Sequence, residues 1–463
     1  MLVSGGTVVD VDGSRVASVR IEDHGRIEAV GDSLVARPGE KIYDATGCLV
    51  VPGGVDAHTH LRLPVGAVRV SDDFWTGTRA AAVGGTTTVI DYATAYRGED
   101  PFEVFRCWKQ WARPAAVDWA LHMTFTEAVP ERVVAGFIDE GVTSFKLYMA
   151  YPELLAVDDS VILDVMRTAT TRGGLVTVHC EDGDAIEELR ARAVAEGRTA
   201  AIEHARTRPA SLEAVAVARV ADLAQRAECP VYVVHCSSGA ALAEVRAAQE
   251  RDIDVRAETC PQYLHLDVAS LQGPEAPDFV CTPPLREQRD RDELWEGLAR
   301  GWIHTVATDH CPFWSDDRRR GIRGRPEGFR DFTEIPGGLP GIETRLALVW
   351  EGVTGGVLSV EDWVRLCSEA PARTFGLWPE KGSLRAGADA DVVVWDPDRE
   401  QSLDAEVLSM EVDQSPYEGR CSRGWPRLVL SRGRAVAVDG RFVGEPGAGR
   451  YLPRKTVHPD PVG

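Results

Sequence analysis

The chain has 463 residues, with 51 Lys and Arg against 72 Asp and Glu for a net charge of −21. That is enough chain for one large domain and one small one, and so acidic a balance argues against nucleic acid or an anionic membrane as partner. No apolar run reaches membrane-spanning length and no basic-then-apolar leader follows Met1, so a soluble, cytoplasmic protein is expected; the ten cysteines contain no CxxC pair and read as buried free thiols.

In chain order, residues 1–52 read as short alternating strands broken by glycine turns: Leu2-Val3, Thr7 to Val9, Ser18 to Ile21 and Arg26 to Val30. Too little chain is present there to close a sheet alone. Similar strands recur in residues 380–446, at Asp391 to Trp395, Arg427 to Ser431 and Arg434 to Val438. Both ends are therefore expected to join in one small β-sandwich, followed by a tail over 447–463 lying on a surface or a neighbouring subunit.

Between them, residues 53–379 carry eight apolar strand candidates: Leu49 to His60, Thr86 to Tyr92, Val117 to Phe125, Val142 to Tyr148, Leu175 to Glu181, Val231 to Cys236, Ile253 to Cys260 and Ile303 to His310. Amphipathic stretches of helical period separate most of them, clearest in Ser211 to Ala227. This rhythm predicts an α/β chain whose main domain is a (β/α)8 TIM barrel. Such barrels place functional residues at the carboxyl ends of the strands. His58 and His60, Lys146, His179, His235 and Asp309 all stand there. On a strand, His58 and His60 share one face. Singly, each histidine has an ordinary reading as a hydrogen-bonded core residue, and Asp309 as a turn residue. Together on one rim, they point to a divalent metal site.

Lys146 is one of five lysines and lies in Phe145-Lys146-Leu147-Tyr148. It either reaches solvent, pairs with a carboxylate such as Asp309, or is buried with a lowered pKa. In the last case the neutral amine takes up carbon dioxide, and the carbamate bridges two cations.

The motifs resemble those of cyclic amidohydrolases of the dihydropyrimidinase and D-hydantoinase family. They include Asp56-Ala57-His58-Thr59-His60, Lys146-Leu147-Tyr148-Met149-Ala150-Tyr151, His179-Cys180-Glu181 and His235-Cys236-Ser237-Ser238. Glu258-Thr259-Cys260-Pro261, Cys281-Thr282-Pro283-Pro284 and Thr308-Asp309-His310 complete the set. The resemblance spans nearly the whole chain and implies a binuclear hydrolase. His58, His60 and Asp309 would hold one metal, His179 and His235 the other, with Lys146 as N6-carboxylysine between them. The resemblance implies zinc foremost, although histidine and carboxylate ligands accept manganese and cobalt as well. The resemblance further implies attack by a metal-bridging hydroxide, with Asp309 carrying the proton and Tyr151 donating to the oxyanion. Thr282 and the Gly337 backbone would hold the cyclic amide or ureide. A hydantoin or dihydropyrimidine would open to an N-carbamoyl amino acid, in a homotetramer.

Three departures bear on the substrate. Relatives usually carry serine where Thr282 stands, and often asparagine where Gly337 stands. Arg62 replaces a common acidic residue in the loop after His60, either to welcome an acidic substituent or as a solvated surface charge. An allantoinase, a dihydroorotase, another amidohydrolase or a non-catalytic scaffold homologue are the alternatives.

Overall fold

The computed structural model describes residues 1–456. Eight parallel strands form the barrel in chain order: Gly54–Thr59, Thr86–Ala95, Asp118–Phe125, Ser144–Tyr148, Leu175–His179, Val231–Val233, Val255–Thr259 and Thr305–Val306. A parallel bridge between Thr59 and His310 closes the ring, with His60 N donating to His310 O at 2.9 Å. Helices cover the outside. In Ala210–Ala227 the buried Ala216, Val217, Val220, Ala221 and Ala224 recur at helical spacing, which turns one apolar stripe onto the barrel.

Two strands are shorter than their apolar runs suggest, for a conformational reason. The sixth and eighth end before His235 and Asp309, whose φ angles of 39° and 51° leave the extended region. The expected first run, Leu49 to His60, divides in two. Leu49–Pro52 pairs antiparallel with Val392 to Trp395 in a second sheet, and only Gly54–Thr59 enters the barrel. Gly53 makes the crossing, where a Cβ would fall 2.1 Å from Thr87 Oγ1.

The second sheet contains nine strands contributed by both chain ends, hydrogen-bonded as one continuous sheet. The pairing of Leu49–Pro52 with Val392 to Trp395 joins the two halves. Strand alternation divides its side chains. Val8, Val50, Val392, Val394, Leu428 and Leu430 build a core of its own. Val9, Val51, Val393, Trp395 and Val429 face the other way, into the barrel's core.

A buried ionic cluster ties the parts together. Lys381 Nζ lies 2.6 Å from Asp118 Oδ2, 3.1 Å from Asp389 Oδ2 and 2.8 Å from Asp391 Oδ2. Arg432 and Arg450 approach Asp118 at 3.2 and 3.4 Å. The described part of the tail, residues 447–456, lies along the barrel and is hydrogen-bonded to it. Trp119 N donates to Arg450 O and Leu452 N to Trp119 O. The buried Arg454 donates to Ser144 Oγ and Leu121 O, both at 2.6 Å. Residues 457–463 lie outside the described residues.

All ten cysteines are free; eight are buried, whereas Cys107 and Cys421 are exposed, against the expectation for them. Among the described residues, no helix is long and apolar enough to cross a membrane.

Candidate active site

The strand ends open into a cavity of about 610 Å³ lined by His58, His60, Tyr151, His179, His235, Thr282, Asp309 and Gly337. Eight of the nine expected site residues thus share one space. The ninth, Lys146, is fully buried and does not line the cavity.

His58 and His60 sit at the end of the first strand, where the two-residue period aims both rings at Asp309. His58 Nε2 lies 3.2 Å and His60 Nε2 3.1 Å from Asp309 Oδ1. Across the cluster, His179 Nδ1 and His235 Nε2 are 2.9 Å apart. The two groups meet through His58 and His235, with ring centres 5.4 Å apart. Burial lowers the pKa of His58, His179 and His235, so these rings are neutral and carry lone pairs.

Carboxylates behind the rings decide which nitrogen keeps its lone pair. His58 Nδ1 makes a short contact with Glu258 Oε1, leaving Nε2 toward Asp309. Glu258 also accepts from Tyr232 Oη at 2.7 Å and from the His235 amide at 3.1 Å. His179 Nε2 lies 2.8 Å from Glu181 Oε2, which Arg208 Nη1 approaches at 2.6 Å. Burial pushes the Glu181 carboxyl up, but Arg208 and His179 outweigh it and bring it down to about 2. The sequence motifs assign neither acid a role, but the two-residue spacing of Glu181 to His179 is a local signal for it. Glu258 has no such local signal, because it meets His58 only through the closed barrel.

Lys146 Nζ is buried without a hydrogen-bond partner, 5.0 Å from the ring centres of both Tyr92 and Tyr148. It therefore neither reaches solvent nor forms an ion pair with Asp309. Burial lowers its pKa to about 8, against the opposing pull of Glu258 and Asp309.

Tyr151 follows in a tight loop with φ 64°. Its ring centre lies 5.7 Å from that of His179 and 5.2 Å from the Arg208 guanidinium. With His235 and Asp309 it is one of three cavity residues among eight described non-glycine positions of positive φ, a concentration of backbone strain typical of functional sites. Thr282 and Gly337 are adjacent: a Cβ on Gly337 would lie 3.1 Å from Thr282 Oγ1. The contact is with the hydroxyl, which serine would also carry, so the threonine methyl itself does not meet this position. Arg62 does not line the cavity; its guanidinium packs 5.0 Å from the Trp111 ring centre. The remaining walls are largely apolar, with Val65, Leu155, Ile322, Phe332 and Ile335, and include the polar Arg190, His204 and Arg208.

Neutral imidazoles with oriented lone pairs, a carboxylate and an unpartnered buried amine form a donor set suited to divalent cations. Ligand atoms of His58, His60 and Asp309 lie within 4.8 Å of one another. Residues 49–436 match the amidohydrolase family. The chain belongs to that family. This amidohydrolase is 41% identical to a D-hydantoinase of Streptomyces coelicolor, covering 98% of both chains. It is 42% identical to a D-phenylhydantoinase of Escherichia coli, covering 99% of both. A crystal structure of dihydropyrimidinase from Brevibacillus agri superposes with a TM-score of 0.95 at 39% identity, covering 99% of both chains. Family membership implies a divalent metal centre, and the His-His-Asp group gives it donors.

Proposed function

We propose that this amidohydrolase opens the ring of a hydantoin or dihydropyrimidine by hydrolysis, giving an N-carbamoyl amino acid. The observation that carries this reading is the convergence of four histidines, Asp309 and the unpartnered Lys146 beneath one cavity. The relatives named for hydantoin and dihydropyrimidine chemistry support the substrate class.

In this reading His58, His60 and Asp309 hold one ion and His179 and His235 a second. The Lys146 amine would add to carbon dioxide and lose a proton, and the resulting N6-carboxylysine would complete the set of residues that hold the ions. When bound, two divalent ions, proposed as zinc, supply Lewis acidity that activates water near neutral pH and polarises the scissile carbonyl. Asp309 accepts the proton released on attack and hands it to the departing ring nitrogen. The Tyr151 hydroxyl donates to the carbonyl oxygen as negative charge develops there. Thr282 Oγ1 and the Gly337 backbone hold the remaining amide edge. Tyr151→Phe is expected to reduce kcat by about 10²- to 10³-fold, the usual cost of one oxyanion donor, with metal content by elemental analysis unchanged.

The apolar walls favour an apolar ring substituent, and Arg62 is turned away from the cavity. The reading is tested by assaying zinc- and bicarbonate-reconstituted protein on dihydrouracil, hydantoin, a bulky 5-substituted hydantoin, allantoin and dihydroorotate. Turnover of any of the first three is the expected result. Turnover of only the last two would replace the substrate while keeping the chemistry; metal-loaded protein inert on all five would favour a scaffold or another amide. A homotetramer is carried over from the resemblance, and light scattering tests it.

A further inference from the structure

The loop that carries Tyr151 has an unusual hydrogen-bond economy. Its amides turn inward: Leu154, Leu155 and Ala156 all donate to Tyr151 O, at 3.0, 2.9 and 3.0 Å, and Val157 donates to Tyr148 O at 3.0 Å. Its carbonyls turn outward and meet one side chain. Arg97 Nη2 donates to Pro152 O at 2.9 Å and Ala156 O at 3.1 Å, and Nη1 donates to Glu153 O at 3.3 Å. Arg97 Nε donates to Thr126 O at 3.3 Å, beyond the third barrel strand. One guanidinium thus engages four carbonyls, three of them in the five residues after Tyr151.

The clamp's own base is fixed. Tyr96 N donates to Glu99 Oε2 at 2.9 Å, and Gly98 N donates to Glu127 Oε1 at 3.0 Å. Tyr96 lines the cavity on one side, while Tyr151, Leu154 and Leu155 line it on another. Arg97 therefore ties two cavity walls to each other from outside the cavity.

We propose that Arg97 is a positioning residue that holds the 151–157 loop closed, setting both the aim of the Tyr151 hydroxyl and the width of the substituent pocket. This rests on the proposed role of Tyr151. Arg97 is an exposed residue, so water replaces most of its contacts when it is removed and global stability changes little. What is lost is geometry. Planar, five-donor arginine suits several carbonyls at once, whereas the compact ammonium of lysine does not.

The experiment compares Arg97→Ala and Arg97→Lys with the parent, alone and in a Tyr151→Phe background. Arg97→Ala is expected to lower kcat by about 10- to 100-fold, the scale of an ångström-sized misplacement, with Tm unchanged. KM should shift more for a bulky 5-substituted hydantoin than for hydantoin itself. Arg97→Lys should recover only part of the loss. Amide hydrogen exchange at Leu154 to Val157 should accelerate in both variants. In the Tyr151→Phe background, Arg97→Ala should cost kcat little more. Unchanged kcat with unchanged exchange overturns the proposal. So does an equal further loss in that background, which would place the action of Arg97 elsewhere. If Tyr151→Phe itself leaves kcat intact, the role of Tyr151 falls, while exchange still decides whether Arg97 holds the loop.

Discussion

Lys146→Met is expected to lower turnover of every cyclic amide by on the order of 10⁴-fold or more, as when one member of an interdependent catalytic set is removed. The substitution keeps an unbranched apolar stem in the space between Tyr92 and Tyr148 but deletes the amine. Metal content by elemental analysis should fall with activity, because four neutral histidines and one aspartate offset little of the charge of two dications. The same change should leave the metal-free protein at least as resistant to heat. The parent buries Lys146 Nζ with no hydrogen-bond partner, and an unpartnered buried polar group is a cost that methionine does not carry. This opposition separates loss of the site from loss of the fold. Full turnover with both metals retained would sink the carbamate reading.

The largest stability effect is expected at Lys381, far from the chemistry. Lys381→Met leaves Asp118, Asp389 and Asp391 gathered around an empty centre. Arg432 and Arg450 still reach Asp118, and Arg450 still contacts Asp389, but Asp391 Oδ2 loses its only cationic partner at ion-pair distance among the described residues. Removing one partner from a buried ionic group typically costs about 3–5 kcal/mol, read here as a lower denaturant midpoint. The penalty should shrink on acidification. Burial already raises the pKa of the Asp391 carboxyl despite Lys381, and without the lysine it rises further. A carboxyl whose folded pKa lies above its unfolded value binds its proton more tightly when folded, so stability is regained as pH falls through the folded value. The double variant Lys381→Met/Asp391→Asn should recover part of the loss at neutral pH. Equal midpoints for variant and parent would show the cluster to be dispensable.

The barrel and its ligand candidates were legible because strand periodicity is local: His58 and His60 announce a shared face from their spacing alone. Lys146, His179, His235 and Asp309 were found by the same rule, each at the end of an apolar run. What the sequence hid depends on closure. Glu258 stands beside His58 only after the strands have gone round the barrel, and Arg97 matters through carbonyls that every residue possesses. Strand ends were misjudged at His235 and Asp309, where apolar runs continue but φ turns positive. Arg62 was ambiguous for a related reason: its neighbour, Trp111, lies on a helix no local pattern connects to it.

The pairing of Leu49–Pro52 with Val392 to Trp395 also constrains the order of assembly during synthesis. The amino-terminal strands emerge first from the ribosome, yet the strand that covers their open edge is made only after the whole barrel. Until then an apolar edge waits unpaired, a standing invitation to association between nascent chains. Non-local pairing of this kind slows folding. A chain interrupted before Val392 would therefore lose more than its last segment, because the partner of its beginning would never arrive.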